Sequence, residues 1–104
     1  MFLSLDIPAN TKESAPTQKR YTIGRATIRA LKVNIPDGHA YLTHLEILTR
    51  GRPLFSKGDR YITGNGNEVL FNDPMILDGP PYEITLSGWN EDDTYSHAFY
   101  VEVN

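Results

Sequence analysis

The strongest constraint on the fold is a pair of alternating runs in the last third of the chain. Ile84 and Leu86 share one parity in residues 82–89, and His97, Phe99, Val101 and Val103 share one parity in residues 97–103. Side chains two apart on a strand point the same way, so each run can bury one face and solvate the other. The acidic connection Asn90-Glu91-Asp92-Asp93 is rich in turn residues, and the whole reads as a β-hairpin. It carries no obvious reaction chemistry and points to a chain that works through a surface.

A length of 104 residues fits one domain with room for an appended arm. A domain of this size buries only about 60–70% of its unfolded surface, which leaves little volume for a deep pocket. The net charge of −3 lacks the basic excess of a small nucleic-acid binder. There is no cysteine, which excludes a disulfide framework and a thiolate metal site. The start, Met1-Phe2-Leu3-Ser4-Leu5-Asp6, has no basic segment and is interrupted at Asp6, unlike a secretion signal. No apolar run approaches the roughly 20 residues of a membrane helix. The reading is a soluble chain with no membrane association.

Phe2, Leu3, Leu5 and Ile7 form an apolar start, followed by residues 8–20 without a large aliphatic or aromatic side chain. Such a stretch cannot bury enough surface to offset its ordering entropy. Residues 1–20 are therefore expected to be an extended N-terminal arm, and 21–104 the domain. The arm's apolar residues could add a strand to a neighbour's sheet edge.

Within the domain, residues 21–35 are β-branched and apolar, with a change of phase near Ala30-Leu31 that suggests a bulge. Pro36-Asp37-Gly38 marks a turn, residues 41–49 alternate again, and Arg50-Gly51-Arg52-Pro53 turns the chain. Leu54-Phe55 is a short apolar piece, Lys57-Gly58-Asp59 another turn, and Arg60 opens a further short strand. Gly64-Asn65-Gly66-Asn67 is a hairpin-type loop. Gly79-Pro80-Pro81 bars helix and central strand alike. The expectation is all-β: a single antiparallel β-sandwich or jelly roll of about seven or eight strands.

The chemistry-bearing residues are sparse. His44 and Glu46 share a strand face with His39 upstream, a pattern that can hold a metal but equally describes a solvated sheet face. His97 has Ser87, Ser96, Asp92 and Asp93 within reach in sequence but no nucleophile-elbow motif, and reads as a structural histidine. Asn90 to Asp93 supply oxygen donors without a calcium-loop spacing. Trp89, the single tryptophan, lies beside Asn90, Asp92 and Tyr95, a set that could stack and hydrogen-bond a sugar if the ring is exposed. Arg25 and Arg29 belong to a basic stretch with Lys19, Arg20 and Lys32 that could meet an acidic partner. No cofactor is expected, and no catalytic or metal residue is assigned.

Pro36-Asp37-Gly38, Gly51-Arg52-Pro53-Leu54-Phe55, Asn90-Glu91-Asp92 and His97 lie in an order along residues 31–103 that resembles short β-sandwich proteins from virion gene clusters of double-stranded DNA phages. In this chain the proline precedes Leu54-Phe55 rather than following the apolar pair. The resemblance implies a non-enzymatic virion component: a capsid decoration (cement) protein on the capsid exterior, bound to the major capsid protein or another virion protein, and a homo-oligomer with a trimer favoured. Phe2, Leu3, Leu5, Ile7, Arg25 and Arg29 are the expected partner contacts. The alternative is a carbohydrate- or host-surface-binding module of a phage tail or spike, using Trp89, Asn90, Asp92 and Tyr95.

Overall fold

The computed structural model describes residues 1–54 and 61–104. The described residues are all-β and antiparallel. Ten strands run in chain order: β1 (Phe2–Ile7), β2 (Thr17–Thr22), β3 (Thr27–Ile28), β4 (Leu31–Ile35), β5 (Thr43–Thr49), β6 (Arg52–Pro53), β7 (Asn67–Phe71), β8 (Met75–Ile76), β9 (Glu83–Asn90) and β10 (His97–Val103). Sheet A has the order β1-β10-β4-β7 and sheet B the order β2-β9-β5-β6, while β3 and β8 form a two-stranded ribbon. The expected Lys57-Gly58-Asp59 turn, and the starts of the strand opening at Arg60, lie outside the described residues, as does Phe55.

Period-2 patterning builds the core. Leu3, Leu5 and Ile7 on β1, Leu31, Val33 and Ile35 on β4, and Phe99, Val101 and Val103 on β10 point to one side of sheet A. Leu45, Ile47, Ile84 and Leu86 come from sheet B, and all of these residues join one buried cluster. Burying such side chains stabilises the fold by about 1.5–3 kcal/mol each relative to leaving them exposed. Gly88 marks a close approach of β1 to β9: a Cβ there would lie 2.5 Å from Ile7 Cδ1, and 2.7 Å from the His44 carbonyl oxygen on the neighbouring strand.

Three expectations change. Residues 82–89 and 97–103 are both strands, but they do not pair as a hairpin. β9 lies between β2 and β5, and β10 between β1 and β4. Each run has one apolar face, and burying it needs a partner layer across the core rather than the other run beside it. Residues 91–96 therefore carry the chain from one sheet to the other. The break near Ala30 is likewise a change of sheet rather than a bulge: the Arg29 amide donates to the Asn104 carbonyl at 2.8 Å, between the ribbon strand β3 and β4.

The third change concerns residues 1–20, which do not form a free-standing arm. β1 pairs with β10 in register from Phe2↔Glu102 to Ile7↔His97, and β2 pairs with β9 from Thr17↔Gly88 to Thr22↔Glu83. The apolar residues of β1 are therefore used inside this chain's own core. β2 is a strand despite its polar composition because an edge strand is held by backbone pairing and can leave most side chains in water. Tyr21 ties the two edges together: its hydroxyl donates to the Ser4 carbonyl at 2.6 Å and accepts from the Ser4 amide at 3.1 Å.

Candidate binding surface

One end of the molecule gathers the loops of residues 36–42, 64–67 and 91–96. Its base is His39, only 1% exposed. A carbonyl can only accept, so Nε2–H donates to the Ala98 carbonyl at 3.0 Å, and Nδ1 accepts from the Thr43 hydroxyl. These are the roles of the neutral ring. Burial, and then the neighbouring His97, hold its pKa below the ordinary histidine value. The ring centroid lies 4.7 Å from that of His97 and 4.9 Å from that of Phe99, which it meets edge-on.

The next layer is made by Asn90, Asp92 and His97. Asn90 is buried; its side-chain amide donates to the Ile7 carbonyl at 3.2 Å and the Tyr95 carbonyl at 2.9 Å, and its oxygen accepts from the Asp92 amide at 2.9 Å. Asp92 Oδ1 accepts from the amides of Thr94 and Tyr95 at 2.9 and 3.2 Å, while Oδ2 accepts from His97 Nε2 at 2.8 Å. The bond from His97, with the Thr94 amide behind it, holds the Asp92 carboxyl below the ordinary carboxylate range. These polar atoms point at one another and at the backbone, so their work is to fix the loop of residues 91–96.

On that base stand two tyrosines. Tyr41 is 65% exposed and Tyr95 is 68% exposed. Ala40 and Tyr41 have φ of 48° and 61°, left-handed values that cost a non-glycine residue about 1–2 kcal/mol each. Such backbone persists only where the surroundings hold it. Here Asn65 Oδ1 accepts from the amides of Gly38 and Ala40 at 2.8 and 3.1 Å, the Tyr41 amide donates to the Gly64 carbonyl at 3.0 Å, and the Glu91 amide donates to the Leu42 carbonyl at 2.8 Å. Both phenol rings thus project from a backbone with little freedom left to lose. That is the property of an efficient contact residue, because ordering cost is subtracted from binding energy.

The sugar-binding set is brought together only in part. Asn90, Asp92 and Tyr95 share this end, but Trp89 lies on the outer face of sheet B and is 9% exposed. His44 stacks on its ring at 4.5 Å and Tyr61 meets it edge-on at 4.6 Å, so its faces are not open as a stacking platform. His44 also lies 3.5 Å from Glu91 through Nε2. Glu46 is buried on the same outer face. Among the described residues no group of three or more His, Asp or Glu is placed to hold a metal ion.

Of the expected docking residues on β1, Leu3, Leu5 and Ile7 are buried and Phe2, at 80% exposure, projects outward. It belongs to the outer face of sheet A, where register sets Phe2 beside Glu102, Glu102 beside Lys32 and Lys32 beside Leu70. Tyr100, 51% exposed, stands in the next row between Ser4 and Asn34. Arg25 and Arg29 line an open groove at the far end of β10 from the tyrosine loops. Sequence reasoning does not single out Tyr41, because the alternation of residues 41–49 places it at the start of a strand, whereas β5 begins at Thr43. The left-handed backbone of Ala40 and Tyr41 leaves no signature in those residue types. No protein-family model matches the chain, and no curated protein matches it.

Proposed function

We propose that this chain is a structural virion protein that decorates the outside of a capsid, acting by attachment and not by catalysis. The observation that carries the reading is the strand order. Setting aside the ribbon strands β3 and β8, the remaining eight strands run first, eighth, third, sixth in sheet A and second, seventh, fourth, fifth in sheet B. This order supports reading the two sheets around one core as a jelly-roll β-sandwich, an architecture used by viral capsid and lectin domains. Fold alone does not assign function. The resemblance of its turn and strand-start devices to those of phage virion proteins adds the virion assignment. The fixed, exposed Tyr41 and Tyr95 supply the attachment point, in place of β1, whose inward residues serve this chain's own core. The partner is the major capsid protein or another virion protein, and the chain acts as a homo-oligomer.

Cosedimentation with capsids that lack the protein tests this. Wild type pellets with the particles, and the Tyr41→Ala/Tyr95→Ala double variant binds at least tenfold more weakly, since each buried tyrosine anchor at an interface is worth about 1 kcal/mol or more. Failure of wild type to pellet, or equal binding by the variant, refutes the assignment. The alternative, a glycan- or host-surface-binding module of a tail or spike, is favoured by exposed Tyr95 beside the acidic loop. Retention on a glycan array that Tyr95→Ala abolishes, with no capsid binding, would select it.

A further inference from the structure

We propose that the outer face of sheet A and the groove holding Arg25 and Arg29 are the two halves of one contact between copies of this chain. The inference rests on the homo-oligomer part of the proposed function and says which surfaces meet.

The outer face of an exposed sheet is ordinarily polar. This one presents Phe2 and Tyr100, with Leu70 also exposed, around a shallow groove of about 330 Å³ that Glu68 and Glu102 help to line. The charge on the face is unbalanced. Lys32 lies 3.4 Å from Glu68, while among the described residues neither Asp6 nor Glu102 has a basic group within 4.0 Å. Aromatic faces beside carboxylates are a receptor for guanidinium: the ring attracts the cation and the carboxylate takes its N–H groups in pairs.

The chain supplies that guanidinium itself. The groove of about 580 Å³ is lined by Met1, Arg25, Thr27, Arg29, Val103 and Asn104, with no Asp or Glu among them. Arg25 uses Nε on the Thr27 carbonyl at 3.0 Å, which leaves its terminal N–H groups to other acceptors. Among the described residues neither arginine has an acidic side chain within 4.0 Å. In a chain of net charge −3, two unpaired arginines at one groove and two unpaired carboxylates on one aromatic face are complementary patches. A second copy presents each to the other, either once per neighbour in a ring or twice across a two-fold axis. The tyrosine loops lie at the opposite end of β10 and stay free for the capsid.

The test is complementation, read by light scattering on size-exclusion eluates. Phe2→Ser/Tyr100→Ser removes the aromatic face, and Arg25→Ser/Arg29→Ser removes the guanidinium groups; all four side chains are exposed, and circular dichroism checks the fold. Wild type runs as an oligomer that dissociates as salt is raised. Each double variant alone runs as a monomer. Mixed, they give a one-to-one complex, because each keeps the half the other lacks. A monomeric wild type overturns the proposal and leaves the face to a basic segment of another protein. Oligomers of either variant alone, or no complex in the mixture, also overturn it. Capsid cosedimentation is read separately: wild type that oligomerises but does not pellet sinks the capsid assignment and leaves this contact standing.

Discussion

His39 should make this fold sensitive to mild acid, and the sign of the effect follows from its burial beside His97. In the folded chain Nε2 donates to Ala98 and Nδ1 accepts from Thr43, and a second proton, on Nδ1, would turn the Thr43 hydroxyl from donor to acceptor. It would also place charge in a buried site beside His97. The folded-state pKa is therefore lowered, while the unfolded chain titrates near the ordinary value of 6.5. Between those two values the unfolded state holds the extra proton, and stability rises with pH. The contribution of His39 is complete above about pH 6.5 and is lost as pH falls below it, at a slope of at most about 1.4 kcal/mol per pH unit for one proton. Between pH 6.5 and 5 the loss is bounded at about 2 kcal/mol. Urea unfolding at pH 8, 7, 6 and 5 measures it. His39→Gln keeps an N–H donor for Ala98 and cannot titrate. It should cost about 1–2 kcal/mol at pH 8 through imperfect hydrogen bonding and then lose less stability than wild type on acidification. The variant changes no other side chain, so the difference between the curves reports His39. Parallel curves, or a wild type that gains on the variant as pH falls, would refute the reasoning.

Two further outcomes follow from the packing. Gly88→Ala puts a methyl group 2.5 Å from Ile7 Cδ1 and 2.7 Å from a backbone oxygen, and should destabilise by about 1–3 kcal/mol, seen as a lower Tm; an unchanged Tm would show that the two layers can part freely there. Trp89→Ala should cost about 3 kcal/mol and leave glycan binding unaltered, because the ring is packed between His44 and Tyr61; lost glycan binding at unchanged Tm would reinstate it as a ligand platform.

Much of the fold was legible in residue parity. Alternation located β5, β9 and β10, because the residues that face the core of a strand repeat every two positions. Parity carries no information about which strand lies alongside, so β9 and β10 read as hairpin neighbours although they belong to different sheets. β2 was illegible for a different reason: an edge strand is held by its backbone, which every sequence shares. At the loop end, Asn90, Asp92 and His97 were recognisable as loop-fixing devices, since their residue types advertise it. The role of His39 depends on Ala98, which is 59 positions away, and the exposure of Tyr41 depends on dihedral angles that no residue type encodes.

The placing of β10 between β1 and β4 has a consequence for synthesis. β1 is translated long before its partner in sheet A, which is made of residues 97–103. Leu3, Leu5 and Ile7 must therefore wait, with their backbone unpaired on that side, until nearly the whole domain has been translated. Such long-range closure is slow compared with local hairpin formation. A ribosome stalled before His97 would hold an adhesive apolar strand with nowhere to go. Nascent chains of that length are the ones expected to recruit chaperones or to aggregate.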